Sequence, residues 1–271
     1  MILLRILIIF SYFTILHSST VFAQSLNIGI QLYYDKNFSA SLEHLRPLAI
    51  QGQNEAQYLI GDMYYFGYGL PIDYIEALKW YKIAADQGHK LAKHSIGDIY
   101  YYGKGLPVDY DEALKWYRMA ADQGDEAAQN TLGLMFETGK GSPINYAEAL
   151  KWYGMSANKG HLYAQGNLGY MFEFGKGLPI NYAEALKWYR MAADQGHARA
   201  YYSLGLMYEN GNGIGVSYIK AHVLYELSSD GGIKDGEKFK QKLEAKMTSE
   251  QLSEAKLMKK ECFKNYKNCN F

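Results

Sequence analysis

The chain has 271 residues, with 28 lysines and arginines balanced by 28 aspartates and glutamates, so its formal net charge at pH 7 is zero. A neutral chain gives little electrostatic support for binding nucleic acid or an anionic membrane surface, and the composition therefore argues against both classes of partner.

The first 23 residues have the pattern of a cleavable signal peptide. Arg5 precedes an apolar run, Ile6–Leu16, and Val21 and Ala23 place small residues where a signal peptidase reads them. We therefore expect cleavage before Gln24 and export of the mature chain, either to the periplasm or out of the cell. An uncleaved membrane anchor fits less well, because an apolar run of about eleven residues is shorter than the ~20 that a membrane-spanning helix needs.

One motif then returns every 36 residues. The segment LKWYRMAADQG occurs at Leu114–Gly124 and again, unchanged, two periods later at Leu186–Gly196. Four tryptophans keep the same interval: Trp80, Trp116, Trp152 and Trp188. A fixed period between about 20 and 50 residues indicates stacked repeats. We predict an all-α solenoid of stacked antiparallel helix pairs over residues 24–232.

The first helix of a repeat is predicted at Glu55–Phe66, where Ala56, Ile60 and Met63 form one apolar stripe. Gly61 lies inside this helix, and glycine recurs at that position in every later repeat. Because a glycine inside a helix costs about 1 kcal/mol, its recurrence predicts a close approach by another helix.

A turn containing glycines and Pro71 leads to the second helix, for which Asp73 and Glu76 predict a capping box. Tyr81 belongs to the buried stripe of this helix, and the tryptophan one residue earlier is interpreted as packing between repeats and not as a ligand platform.

The pattern weakens at both ends, as terminal repeats should. Asn37–Gln51 is predicted to be a leading second helix, with His44 in place of tryptophan at an exposed end. After Gly232, residues 233–271 are predicted to form two amphipathic capping helices and a tail that contains Cys262 and Cys269.

The two cysteines favour a disulfide in an oxidising compartment over two free thiols. A continuous helix would hold their Cα atoms about 10.5 Å apart, beyond the ~7 Å limit for a disulfide, so a bridge requires the helix to end between them. A zinc site is less favoured, since two cysteines leave a tetrahedral metal two ligands short.

The recurring ALKWY…AADQG segment, followed by an alanine-led LG–M–Y helix and a G-x-G-x-P turn, resembles the Sel1-like repeat family over about residues 29–232. The resemblance implies a right-handed superhelix similar to tetratricopeptide arrays. It also implies an exported or envelope-associated adaptor, tied either to host proteins or to cell-wall enzymes. The chain departs from the cysteine-rich branch of the family, because no repeat contains cysteine, and this weakens transfer of the β-lactamase label attached to that branch.

The alternative function is a cell-wall hydrolase of the β-lactamase type. Its Ser-x-x-Lys pair occurs at Ser156–Lys159, Ser217–Lys220 and Ser253–Lys256, but the sequence contains no S-D-N or K-T-G motif. Ser156 takes a position that alanine holds in other repeats, so we interpret it as a packing residue. His89, His161 and His197 share one repeat position and are interpreted as exposed turn residues, too far apart for a shared metal. We therefore predict no enzyme activity, no metal and no cofactor.

Partner binding is predicted on the concave face, at positions i, i+4 and i+7 of the first helices, which we name the first-helix stripe. These positions are expected to face solvent and to offer tyrosines beside carboxylates to a peptide or protein segment. The stripe consists of Tyr58, Asp62, Tyr65, His94, Asp98, Tyr101, Asn130, Leu134, Glu137, Gly166, Tyr170, Glu173, Tyr202, Leu206 and Glu209. The sequence thus favours an exported, monomeric scaffold whose partner is an envelope enzyme or a host protein, with no nucleic acid and no membrane span in the mature chain.

Overall fold

The computed structural model describes the backbone of residues 23–264 and the side chains of residues 23–261. The described part contains fourteen helices and no strand. The predicted signal peptide up to residue 22, the Cys262 side chain and all of Cys269 lie outside the described residues.

The chain divides into two compact units, Met1–Asp125 and Glu126–Phe271. The helices of the first unit are α1 (23–34), α2 (Phe38–Ile50), α3 (Asn54–Phe66), α4 (Tyr74–Asp86), α5 (Lys90–Tyr102) and α6 (Tyr110–Asp122). The helices of the second unit are α7 (Glu126–Thr138), α8 (Tyr146–Asn158), α9 (Leu162–Phe174), α10 (Tyr182–Ala193), α11 (Ala198–Asn210), α12 (Tyr218–Asp230), α13 (Lys234–Glu244) and α14 (Ser249–Lys264).

The predicted helix pair is confirmed in each repeat. Each first helix is followed by a glycine in the left-handed region, such as Gly67 with φ of 74°, where a residue with a side chain would be strained. The second helix begins after an N-cap such as Asp73, whose carboxylate accepts the backbone N–H groups of Ile75 and Glu76.

The predicted capping box is only half formed. The backbone N–H of Asp73 donates to the carbonyl of Tyr64 at 2.9 Å, so the preceding helix satisfies the group that Glu76 was expected to bind. The glutamate at this position has another partner: in the next repeat, Glu112 accepts the indole N–H of Trp116 at 3.0 Å. Glu148 accepts the indole N–H of Trp152 in the same way, so in these two repeats the glutamate orients the tryptophan.

Within a helix pair, a tyrosine of the second helix packs against a glycine of the first helix. In five repeats the ring of the second-helix tyrosine covers the first-helix glycine, as Tyr189 covers Gly169, where an added Cβ would meet the ring at 2.6 Å. This contact confirms the close approach predicted from the recurring glycine. The tryptophans pack as predicted: Trp152 and Trp188 are buried, and Trp80 and Trp116 are half-buried.

The ends of the array are covered by helices. At the start, α1 packs on α2, and the Ser41 hydroxyl donates to the carbonyl of Gly29 at 2.7 Å. His44 is half-buried with Nδ1 at 3.2 Å from the Ser25 hydroxyl, so its predicted exposure was wrong, because α1 covers it. At the other end, Leu243 of α13 and Ala255 of α14 join the core built around Tyr225.

Candidate functional site

In the first unit, the first-helix stripe is largely engaged by internal contacts. Asp62 is only 7% exposed and accepts hydrogen bonds from the hydroxyls of Tyr81 at 2.7 Å and Tyr33 at 3.2 Å. Burial raises the pKa of Asp62 above its usual value, although these hydrogen bonds oppose the rise. Tyr58 stacks on His89 with ring centroids 4.5 Å apart. The prediction that Asp62 faces solvent was therefore wrong, because core tyrosines surround it.

The next repeat holds a half-buried histidine between two carboxylates. His94 Nδ1 lies 2.8 Å from Asp125, and Nε2 lies 3.5 Å from Asp98, which also accepts the Tyr117 hydroxyl at 2.6 Å. Burial alone would lower the pKa of His94, but the hydrogen bonds and charges of the two aspartates raise it to about 10. Tyr101 is buried and His94 is half-buried, so both depart from the expected solvent-facing position.

In the second unit, the carboxylate that binds the core tyrosine lies at a later position of the first helix than in the first unit. Glu137, Glu173 and Glu209 stand where the first unit has Tyr65 and Tyr101. Each glutamate accepts the hydroxyl of the buried tyrosine of its own helix pair at 2.7 Å, as Glu173 does from Tyr189. Glu173 is buried, which corrects its predicted exposure, and burial raises its pKa. The position that Asp62 and Asp98 hold in the first unit is occupied by Leu134, Tyr170 and Leu206 in the second.

These exchanges leave a cleft of about 440 Å³ within the second unit. It brings together seven members of the predicted stripe from three successive first helices: Leu134, Glu137, Gly166, Tyr170, Glu173, Tyr202 and Leu206. Glu209 does not line it. The helices α7 and α9 are neighbours, joined by a 3.0 Å hydrogen bond from Asn167 to Asn130.

A glycine and a histidine form one wall of the cleft. Gly166 occupies a stripe position that holds Tyr58, His94, Asn130 or Tyr202 in the other repeats, and the ring of His197 fills the space of the missing side chain. An added Cβ at Gly166 would meet His197 Cε1 at 2.6 Å. Burial, and then the charge of Arg199, lowers the pKa of His197, so the ring is neutral at pH 7.

The three histidines predicted to be exposed turn residues are N-caps of first helices. Nδ1 of His89 accepts the backbone N–H of Ala92, and Nδ1 of His161 accepts that of Ala164. His197 makes no such bond, and its Nδ1 is buried without a hydrogen-bond partner. The exposure prediction was wrong because the closing glycine places the next residue at a helix start, where a ring nitrogen can serve as the cap.

Several cleft residues were absent from the sequence prediction. Among them are His197, Arg199, Asn167, Phe174 and Asp235, which come from cap positions, other helix faces and the segment after the last repeat. The one available signal was Gly166, a small residue among large ones at a single stripe position.

Ser156 is a packing residue, as predicted. It is fully buried, and its hydroxyl donates to the carbonyl of Glu126 at 2.7 Å, so it is closed to an acyl substrate. In the part of the chain that the structure describes, no group of three or more histidines, cysteines or carboxylates could hold a metal ion. Among residues 23–264, no helix combines the length and apolar character needed to cross a membrane.

Comparison with known proteins agrees with the repeat architecture. The sequence model of the Sel1 repeat matches residues 54–89, 90–125, 126–161, 162–197 and 198–233. The chain is similar to a crystallised Sel1 repeat protein from Oxalobacter formigenes, with 32% identity, a TM-score of 0.76 and coverage of 80% of this chain and 86% of that one. No curated protein sequence gives a significant match.

A second crystal structure is similar over most of the array. It is a protective antigen present in uropathogenic Escherichia coli strains that displays an SLR fold, with 27% identity and a TM-score of 0.60. The alignment covers 90% of this chain but 61% of the antigen, so the chain spans about three fifths of that relative.

Proposed function

Since the chain belongs to the Sel1 repeat family, whose members are generally protein-interaction scaffolds, we propose that it is a non-catalytic scaffold. In this proposal it binds a segment of a partner protein in the cleft of the second unit. The single observation that carries the proposal is the cleft itself, because it gathers the variable positions of three successive first helices around one concavity.

The chemistry of the cleft suits a peptide segment. Tyr170 and Phe174 offer aromatic surface, with ring centroids 4.7 Å apart and both side chains exposed. Leu134 adds an exposed aliphatic side chain, while Asn167 and Ser203 offer polar groups at the same cleft. Aromatic anchors surrounded by polar groups carry most of the energy in protein interfaces.

We also propose that the chain works outside the cytoplasm, after cleavage before Gln24. The support comes from the pattern of the first 23 residues, and residues beyond the proposed cleavage site contact α2 through Ser25 and Gly29. Cleavage at this point would leave those contacts in place. The partner would then be an envelope enzyme or a host protein.

Affinity capture tests the binding proposal. Residues 24–271 and a Tyr170→Ala, Leu134→Ala variant are used to capture partners from envelope and host-cell extracts, and circular dichroism checks that both chains fold. Tyr34→Ala is the matched control, because Tyr34 is 69% exposed and belongs to the first unit. We expect a partner that the parent and the control retain and that the double variant loses at least tenfold. Equal retention by all three proteins would place the binding site elsewhere.

A further inference from the structure

The three tyrosine-bound glutamates of the second unit differ in one respect. Glu209 has a cationic partner: Nζ of Lys246, in the link between α13 and α14, lies 2.8 Å from Glu209 Oε1. The Tyr225 hydroxyl binds the other oxygen, Oε2, at 2.7 Å. Both carboxylate oxygens of Glu209 are therefore engaged, one by a tyrosine and one by a lysine.

Glu137 and Glu173 have the tyrosine and lack the lysine. Oε2 of each accepts a tyrosine hydroxyl at 2.7 Å, and in the described part of the chain no cationic side chain lies within salt-bridge distance of either carboxylate. Both glutamates line the cleft, whereas Glu209 does not. Glu137 and Glu173 therefore face the cleft without a cationic partner in the described part of the chain.

The remaining charges of the cleft favour a cation. Glu137, Glu173 and Asp235 contribute carboxylates, while Arg199 is the one cation among the lining residues and His197 is neutral. Glu173 is 7% exposed, and a buried carboxylate is poorly stabilised without a paired charge. The rings of Tyr170 and Tyr202 can pack on the aliphatic part of a lysine or arginine side chain and attract its charge.

We propose that the cleft recognises a basic protein segment, whose lysine or arginine side chains pair with Glu137 and Glu173 in the way that Lys246 pairs with Glu209. The inference rests on the proposed function and specifies the chemistry of the partner. The contact of Lys246 with Glu209 is the arrangement that a lysine or arginine of the partner would form with Glu137 and Glu173.

Selection from a random dodecapeptide library tests the inference for a partner of any sequence. The probes are peptides retained by residues 24–271, and their sequences are compared with those retained by a Glu137→Gln, Glu173→Gln variant. Glutamine keeps an oxygen for the tyrosine hydroxyls and removes the charge. Glu209→Gln is the matched control, because it changes an equivalent glutamate outside the cleft.

We expect lysine and arginine to be enriched among peptides selected by the parent and by the control, but not by the double variant. A labelled peptide from the parent selection should bind the double variant at least about tenfold more weakly and the control within twofold. Its affinity for the parent should fall as salt concentration rises.

Other results would overturn the inference in distinguishable ways. Peptides without basic enrichment that lose affinity on Tyr170→Ala would leave the cleft as a binding site and refute cation recognition. If no peptide depends on Tyr170, Glu137 or Glu173, both the inference and the proposed function fail. Self-association that is lost in the double variant, without basic enrichment, would assign the cleft to a lysine of a second copy.

Discussion

The hydroxyl of Tyr189 donates a 2.7 Å hydrogen bond to the carboxylate of Glu173, while the ring of the same tyrosine covers Gly169. One side chain thus brings two helices into contact and holds a buried carboxylate at the edge of the cleft. Tyrosine makes the same two contacts in all five complete repeats, with aspartate as acceptor in the first unit and glutamate in the second.

The glycine contact predicts opposite effects for two glycine-to-alanine changes. Gly169→Ala should destabilise the protein by about 1–3 kcal/mol, because its Cβ would overlap the Tyr189 ring. Gly154 lies inside α8 with no atom within 4 Å of an added Cβ, so Gly154→Ala should stabilise by about 0.5–1 kcal/mol through helix propensity. Urea unfolding measures both effects, and equal signs would contradict the packing described here.

Glu209 has a cationic partner, whereas Glu173 has none in the described part of the chain. Replacing each with glutamine should therefore affect stability differently. Glu209→Gln removes the ion pair with the exposed Lys246 and should lower the free energy of unfolding at pH 7. Glu173→Gln removes a buried charge that has no cationic partner in the described chain and should not destabilise.

The pH dependence of the Glu173→Gln effect follows from the raised pKa of Glu173. An acid with a raised folded pKa contributes stability at low pH, and that contribution is lost as pH rises through the folded pKa. Wild type should therefore lose stability relative to Glu173→Gln between pH 4 and pH 7. Urea unfolding across that range checks the direction, and a constant difference would exclude the assigned burial of charge.

The raised pKa of His94, in the first unit, predicts a second dependence of stability on pH. Its folded pKa is about 10, whereas the ordinary value is 6.5, because Asp125 and Asp98 outweigh the effect of burial. The stabilising contribution is complete below pH 6.5 and declines as pH rises toward 10. The stability difference between wild type and His94→Gln should be at least about 1 kcal/mol smaller at pH 9.5 than at pH 6.5. Unfolding curves that keep a constant difference would rule out a charged His94.

The proposed export predicts a defined mature N-terminus. Protein recovered from an exporting bacterial host should begin at Gln24, as determined by N-terminal sequencing. Ala23→Arg should block processing, because it removes the small residue before the proposed cleavage site. Recovery of a chain that retains residues 1–23 would contradict the proposal.

The periodic part of the sequence was sufficient to predict the helix pairs, because each period repeats the same turn glycines, N-caps and buried residues. Contacts between different positions were harder to predict. The capping box failed because Tyr64 supplies a carbonyl that no sequence pattern reveals. His89 and Asp62 were placed in solvent because their partners, Glu55 and Tyr81, lie on other helices.

The cleft was predicted in part. Seven residues of the first-helix stripe line it, among them Glu137, Tyr170, Glu173 and Tyr202, since they follow the period of the first helices. Arg199 lies at a position of α11 outside the stripe, and Asp235 belongs to α13, beyond the last repeat, so neither follows that period. A binding role for the stripe as a whole stays a prediction.

Site-specific photo-crosslinking tests the central claim most directly. A photoreactive amino acid replaces Tyr170 in the cleft or, as a control, Tyr34 in the first unit, and the chain is irradiated in cells that export it. The account predicts a discrete cross-linked partner from position 170 that is absent from position 34 and is lost on adding Glu137→Gln and Glu173→Gln. A partner that cross-links from position 34 and not from position 170 would contradict it.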